Sequence, residues 1–263
     1  MSLSDEHKSF LRNVKKEKLF IVIFRFLILF MFIIGWEFLA HYEIINTFSF
    51  SSPSRVFNTI CELVSNGTLF EHIFVTIDEV LISFLLATII GIITASILWR
   101  FPIISKIIDP YLTILNSLPK VALGPLIIIW VGAGRESIIF MSLLISTFIT
   151  IINIYSAFIN TSNNYILLLK SFSASKWQIF KYGIFPANYS AIINVLKINI
   201  SMNLIGVIMG ELLVSKDGIG YLIMYGSQIF NIDLVISGVF ILGIISYLMY
   251  FVINKIEYFF KKN

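Results

Sequence analysis

The stretch "LLLKSFSASKWQIFKYGIFPA", residues 167–187, sets Lys170, Lys176 and Lys181 and a cluster of serines between two long apolar runs. Its local signals are those of two short helices. Ser162 is placed to cap a helix ending near Phe172, and Ser175 with Gln178 three residues on forms a capping box that starts a second one, so the two meet at Ser173. On the second helix Trp177, Phe180 and Ile184 share a face at i, i+3, i+7. Lys176 and Lys181 lie off that face, and Pro186 closes the segment. Two physical readings fit such a segment: a membrane-surface helix with snorkelling lysines, or a docking helix for a cytoplasmic partner.

What surrounds the stretch is membrane. Hydrophobic residues make up 58% of the 263 and charged residues only 13%, with mean hydropathy +0.92, far from the balance of a soluble domain. Apolar runs long enough to cross a bilayer occupy 19–40, 73–99, 105–132, 136–159, 187–214 and 232–258. The spacing predicts an all-α polytopic membrane protein with about six transmembrane helices in one domain. The third run holds Pro119 and Pro125, which must break or kink it, and the carbonyls so freed are tolerated only against protein or water. The first run follows Lys15, Lys16 and Lys18 but is too long for a signal peptide and lacks a small-residue cleavage site, so it reads as an uncleaved anchor.

Lys and Arg set the orientation. Thirteen fall on one side: Lys8, Arg12, Lys15, Lys16 and Lys18 in the N-terminal tail, Arg100 and Lys106, then Lys170, Lys176 and Lys181, and Lys255, Lys261 and Lys262 at the C-terminal end. The opposite loops hold only Arg55, Arg135 and Lys216. Both termini and the 160–186 segment are therefore expected in the cytoplasm. The chain divides into a basic tail (1–18), an anchor (19–40), a transmembrane domain (73–258) containing the 162–186 loop, and a short tail (259–263). The net charge of +4 is a topology signal, with no nucleic-acid patch. On the outer side, Ser52 as N-cap and Pro53 at the first helical position open a short helix that lies along the interface.

No chemistry of catalysis is legible. Cys61 stands alone, His7, His41 and His72 are scattered at no metal-ligand spacing, and no nucleophile-base set appears, so no metal, cofactor or enzymatic activity is expected. There is no phosphate-cradling G-x-x-x-x-G-K-[ST] loop, so any ATP-driven activity would need its motor on another chain. A secondary transporter or channel would instead carry its own charged site within the spans. Arg25 and Lys197 sit within snorkelling reach of the cytoplasmic side. Asp78, Glu79 and Asp109 fall near the cytoplasmic half or in bent segments, and Glu37 falls toward the outer end of the first span. Glu211 follows Gly206-x-x-x-Gly210, a pattern that brings helices close. It is either a satisfied carboxylate beside packing glycines or part of a gate.

The opening stretch resembles the cytoplasmic EAA loop of bacterial ABC importer permeases, whose pattern is E-A-A, three residues, G, then about nine residues to I-x-L-P. FSASKWQ (172–178) and GIFP (183–186) fall at the matching spacing. SSPSRVF (51–57), LPKVALGPLIIIWVGAGRES (118–137) and GELLVSKDGIGYLI (210–223) resemble the subgroup serving nitrate, taurine, aliphatic sulfonates, bicarbonate and some vitamin precursors. The departures are Leu167, Leu168 and Leu169 in place of E-A-A, and Ser173 in place of the glycine, where a left-handed conformation costs serine roughly 1–2 kcal/mol.

The resemblance implies a five-helix permease core plus an N-terminal helix, in the bacterial inner membrane. The partners it implies are a second permease subunit in a homodimeric pore, a cytoplasmic ABC ATPase dimer, an extracytoplasmic solute-binding protein and membrane lipid. ATP-driven closure of the motor would then swing the pore as a rigid-body switch about a two-fold axis. Contact with the ATPase is expected from Lys170, Phe172, Ser173, Ala174, Ser175, Lys176, Trp177, Phe180 and Pro186. The translocation pathway is expected at Pro119, Lys120, Gly124, Pro125, Gly206, Gly210 and Glu211.

Overall fold

The computed structural model of the protein describes residues 5–262, in which helices are the only regular secondary structure. Residues 1–4 of the expected basic tail, and the last residue of the C-terminal one, lie outside the described residues. The rest of the tail joins the anchor in one long helix, α1 (Asp5–His41). The short α2 (Thr47–Phe50) leads to α3 (Pro53–Ser65). Ser52 caps α3 and Pro53 opens it, and Glu37 of α1 reaches across to accept from Ser54 N at 2.9 Å and Ser54 Oγ at 2.8 Å. The free amides at the start of α3 thus draw a carboxylate from another helix. Glu37 is thereby one of the few ties on a helix whose apolar span is otherwise unburied within the chain.

The core is α4 (Thr68–Arg100), α7 (Arg135–Ile159) and α11 (Tyr189–Val214), with α7 packed against both others. Small side chains make this possible. A Cβ on Gly206 would lie 2.5 Å from Ser142 Cα, and one on Gly210 2.9 Å from Ile138 Cα. Polar side chains lace the seam these glycines open. Ser142 Oγ donates within reach of Ser83 Oγ at 3.0 Å and Asn203 Oδ1 at 2.9 Å. Ser146 Oγ donates to the same Asn203 oxygen at 3.0 Å, and Asn199 Nδ2 donates to Thr88 Oγ1 at 2.9 Å. With no hydrophobic drive between helices in lipid, close backbone approach and hydrogen bonds of this kind hold a bundle together.

Between α4 and α7 the third apolar run breaks. α5 (Pro102–Ser117) is followed by a 3-10 turn (Lys120–Leu123) and α6 (Gly124–Val131), and the two halves meet at 84°. The break falls at Leu118-Pro119 alone: Leu118 is extended, as a residue before proline tends to be. Pro125, expected to share in the kink, sits in the first turn of α6, where its missing N–H costs nothing. Counting this bent pair as one span, six segments are long and apolar enough to cross a membrane.

After the 162–186 loop and α11, a short α12 (Ile219–Gln228) leads into α13 (Ile232–Lys262). Asp233 at the start of α13 accepts from Ser51 Oγ at 2.6 Å and pairs with Arg55 at 2.8 Å, fastening α3 across the end of the bundle. Two charge placements differ from the sequence reading. Asp78 and Glu79 lie in the first third of α4, at the end away from Arg100 and beside Arg135 and Glu211, so they belong to the outer half under the expected topology. Lys197 does not snorkel; it pairs inside the bundle with Glu257, both side chains largely buried.

Candidate functional site: the 162–186 loop and the helix seated beside Glu211

The loop is built as its sequence dictates. Ser162 caps α8 (Asn163–Ser171), accepting from Asn164 N. Ser173 then takes φ 57°, the left-handed conformation the helix end requires, without a glycine's freedom. Ser175 and Gln178 form both halves of the capping box on α9 (Lys176–Ile179): Gln178 Oε1 accepts from Ser175 N at 2.7 Å and Ser175 Oγ from Gln178 N at 3.3 Å. One π turn (Phe180–Ile184) and the single turn α10 (Phe185–Ala187) complete it.

The π turn rotates the apolar face away from the even helix assumed from i, i+3, i+7. Phe180 and Ile184 turn inward and are buried with Phe158 of α7 and Ile192 of α11, the Phe180 ring meeting Phe158 edge-on at 5.4 Å. Trp177 stacks on Phe180 at 5.9 Å yet keeps 66% of its surface exposed. Gly183 lets α8 lie against the turn, since a Cβ there would sit 2.6 Å from Leu169 Cδ1. Asn188 ties the loop's end to its start, donating to Thr161 Oγ1 at 2.6 Å. The outcome is a rigid bracket, its inner face part of the span core and its outer face carrying Tyr165, Leu168, Phe172, Trp177 and Tyr182.

Of the residues expected to contact a motor, Lys170, Phe172, Ser173, Ser175, Lys176, Trp177 and Pro186 are exposed on this bracket and Ala174 is half-buried. Phe180 is buried and supports Trp177 from beneath. Tyr165 and Tyr182 were not anticipated, because α8 carries no strong amphipathic pattern and the π turn alters the phase of the following residues.

The residues grouped with a pathway divide in two. Pro119 and Pro125 are exposed at the 84° bend, and Lys120 is half-buried, its Nζ donating to Asn116 Oδ1 at 3.1 Å and lying 5.8 Å from the Phe148 ring. Gly124 is buried against Leu213 of α11. Gly206 and Gly210 are the helix contacts described above, and Glu211 is buried beyond them. Glu211 Oε1 accepts from Thr76 Oγ1 at 2.7 Å and Oε2 from Gly220 N at 2.6 Å. Thr76 Oγ1 in turn accepts from Ile219 N at 2.9 Å, and His72 Nδ1 accepts from Gly218 N at 3.0 Å. The first three amides of the α12 end are therefore all taken by side chains of α4 and α11. Gly218, at φ 100°, and Gly220 are required there, because a Cβ on either would strike Glu211. Glu79 of α4 lies beside Glu211. The D-G-I-G spelling at 217–220 was the available signal for this seat; its partners on α4 carry none.

The comparisons with known proteins decide what bears this loop. Residues 87–262, two thirds of the chain, match the family described as the binding-protein-dependent transport system inner membrane component. The chain belongs to this family. A probable ABC transporter permease of Haemophilus influenzae is 33% identical over 71% of this chain and 76% of its own length. The formylaminopyrimidine transport permease of Halalkalibacterium halodurans is 25% identical, over 78% and 82%. In fold, the chain is similar to an inward-facing structure of the MetNI methionine ABC transporter, with TM-score 0.64 at 16% identity over 70% of this chain and 92% of that one. The family member described here is a transmembrane permease subunit of an ABC importer, a multi-pass inner-membrane protein.

Proposed function

We propose that this permease forms half of a solute pore and is driven by an ATPase dimer that grips residues 162–186, with both termini and that loop in the cytoplasm. Its partners are a second permease copy, the ATPase pair, which alone hydrolyses ATP, and an extracytoplasmic binding protein. The observation that carries the reading is the bracket: Phe180 and Ile184 weld its inner face to α7 and α11, while Phe172 and Trp177 stand free outside. A push on the outer face is therefore delivered to two core helices as a rigid-body displacement. The pathway follows the bend at Pro119, Lys120, Gly124 and Pro125, with Gly206, Gly210 and Glu211 behind it. The solute is small, of the nitrate, sulfonate or taurine type or a vitamin precursor such as the formylaminopyrimidine carried by one relative.

Exposed aromatic anchors at interfaces cost 2 kcal/mol or more to truncate. Trp177→Ala should therefore insert normally yet lose roughly tenfold or more in ATPase recovery on co-purification, with uptake falling alongside. Ser173→Gly, which relieves a left-handed serine, should bind the ATPase as well as or better than wild type. Equal recovery with Trp177→Ala and wild type would end the proposal that the motor grips here.

The orientation is tested separately. In a Cys61→Ser background, Ala174→Cys should react with an impermeant thiol reagent in inverted vesicles and stay silent in sealed cells. Labelling from outside would reverse the topology.

A further inference from the structure

Where α4 ends against the bracket, the two enclose a groove of about 370 Å³. One wall is the outward face of α4, on which Ile93, Ile97 and Arg100 follow one another at i, i+4, i+7, a track of roughly 10 Å at the helical rise per residue. The other wall is Trp177 and Phe180 of the bracket, with Lys176 beside them. Ile93 and Ile97 are about half exposed, as side chains facing hydrocarbon are, while Arg100, at the end of the apolar track, and Lys176 both line the same groove. The Arg100 guanidinium lies 5.2 Å from the Phe101 ring. Among the described residues no carboxylate pairs with Arg100 or Lys176, and no acidic residue lines the groove.

An apolar track ending in two unneutralised cations complements one kind of molecule: an amphiphile with an acyl chain and a negative head. We propose that this groove binds an anionic phospholipid, its acyl chain along Ile93 and Ile97 and its headgroup phosphate between Arg100 and Lys176. Basic pockets at the edge of a transmembrane bundle recognise anionic headgroups on these terms, each cation adding to the preference. The volume lies within the range of small-molecule sites. A lipid seated here touches α4 and Trp177 at once, so it braces the bracket from the membrane side. Lys176 and Trp177 also belong to the surface proposed above for the ATPase, so the lipid is tested on the permease alone.

The test uses the full-length chain carrying Trp36→Phe and Trp130→Phe, leaving Trp99 and Trp177 at the groove as the only tryptophans. It is reconstituted in phosphatidylcholine nanodiscs containing a minor fraction of brominated phosphatidylglycerol or the same fraction of brominated phosphatidylcholine. The brominated phosphatidylglycerol should quench about twofold more strongly. Arg100→Gln with Lys176→Gln should bring the two lipids level, and Arg100→Lys, which keeps the charge, should retain the preference. Equal quenching by the two lipids in the unsubstituted groove would mean ordinary boundary lipid and overturn the proposal, and this arm stands even if the double variant fails to reconstitute. A preference surviving the double substitution, or lost with Arg100→Lys, would remove the charge argument. Absence of quenching by either lipid would mean that protein fills the groove.

Discussion

Replacing Gly206 with alanine is expected to destabilise the permease by about 3 kcal/mol, the upper part of the range for overpacked interiors. One methyl group is enough because its Cβ would lie 2.5 Å from Ser142 Cα, a backbone atom that cannot swing aside as a flexible side chain would. Accommodating it means separating α7 from α11, which would also pull Asn203 away from Ser142 and Ser146 and leave polar groups unpaired in a membrane interior. In detergent the thermal aggregation midpoint should fall by roughly 5–10 °C, and the yield of inserted protein should drop with it. Gly243→Ala is the control: no heavy atom lies within 4 Å of the added carbon, and alanine is the better helix former, so its midpoint should equal or exceed that of wild type. Equal behaviour of the two substitutions would mean that α7 and α11 do not approach as closely as described.

Glu211→Ala should release α12. The substitution removes acceptors for Gly220 N and Thr76 Oγ1, both in a buried setting where each orphaned group costs about 1–3 kcal/mol. The side chain holds one short helix rather than the whole bundle, so the effect should be local. Amides of Ile219–Gln228 should exchange with deuterium at least about tenfold faster, as the lost hydrogen bonds require. Those of α7 should change little. Glu211→Gln keeps one acceptor oxygen and should fall between. Gly220→Ala should reproduce the Glu211→Ala pattern by a different cause, since its Cβ would sit 2.7 Å from Glu211 Cβ. Unchanged exchange in α12 for Glu211→Ala would show that the carboxyl group is not what seats this helix.

Much of this protein was determined by its sequence alone, wherever the physics is local. Apolar run length yields the spans, because an unsatisfied backbone in hydrocarbon leaves a chain little alternative to helix. The caps at Ser52, Ser162 and Ser175 and the left-handed turn at Ser173 are set within a few residues of each other, and the structure has each where the spelling puts it. The break before Pro119 is local in the same sense, whereas Pro125, expected to share in it, falls in the first turn of α6 because the new helix begins at Gly124. The ordered motifs from residue 51 onward were enough to mark the family, which the match over residues 87–262 then established.

Tertiary structure decided whatever depends on two distant segments meeting. That Phe180 is buried among Phe158 and Ile192 while Trp177, stacked on it, stays exposed depends on the helices packed against the bracket and not on the spacing of its own residues. That Lys197 pairs with Glu257, and that Asp78 and Glu79 stand beside Arg135 and Glu211, required helices far apart in the chain to pack side by side. The seat of α12 is the clearest case. Glu211 and the glycines at 218 and 220 are near one another in sequence, but His72 and Thr76, which take the other two amides, come from more than a hundred residues earlier. Buried donors must be satisfied by whatever acceptor the packing brings within reach, and only the packed chain says which one that is.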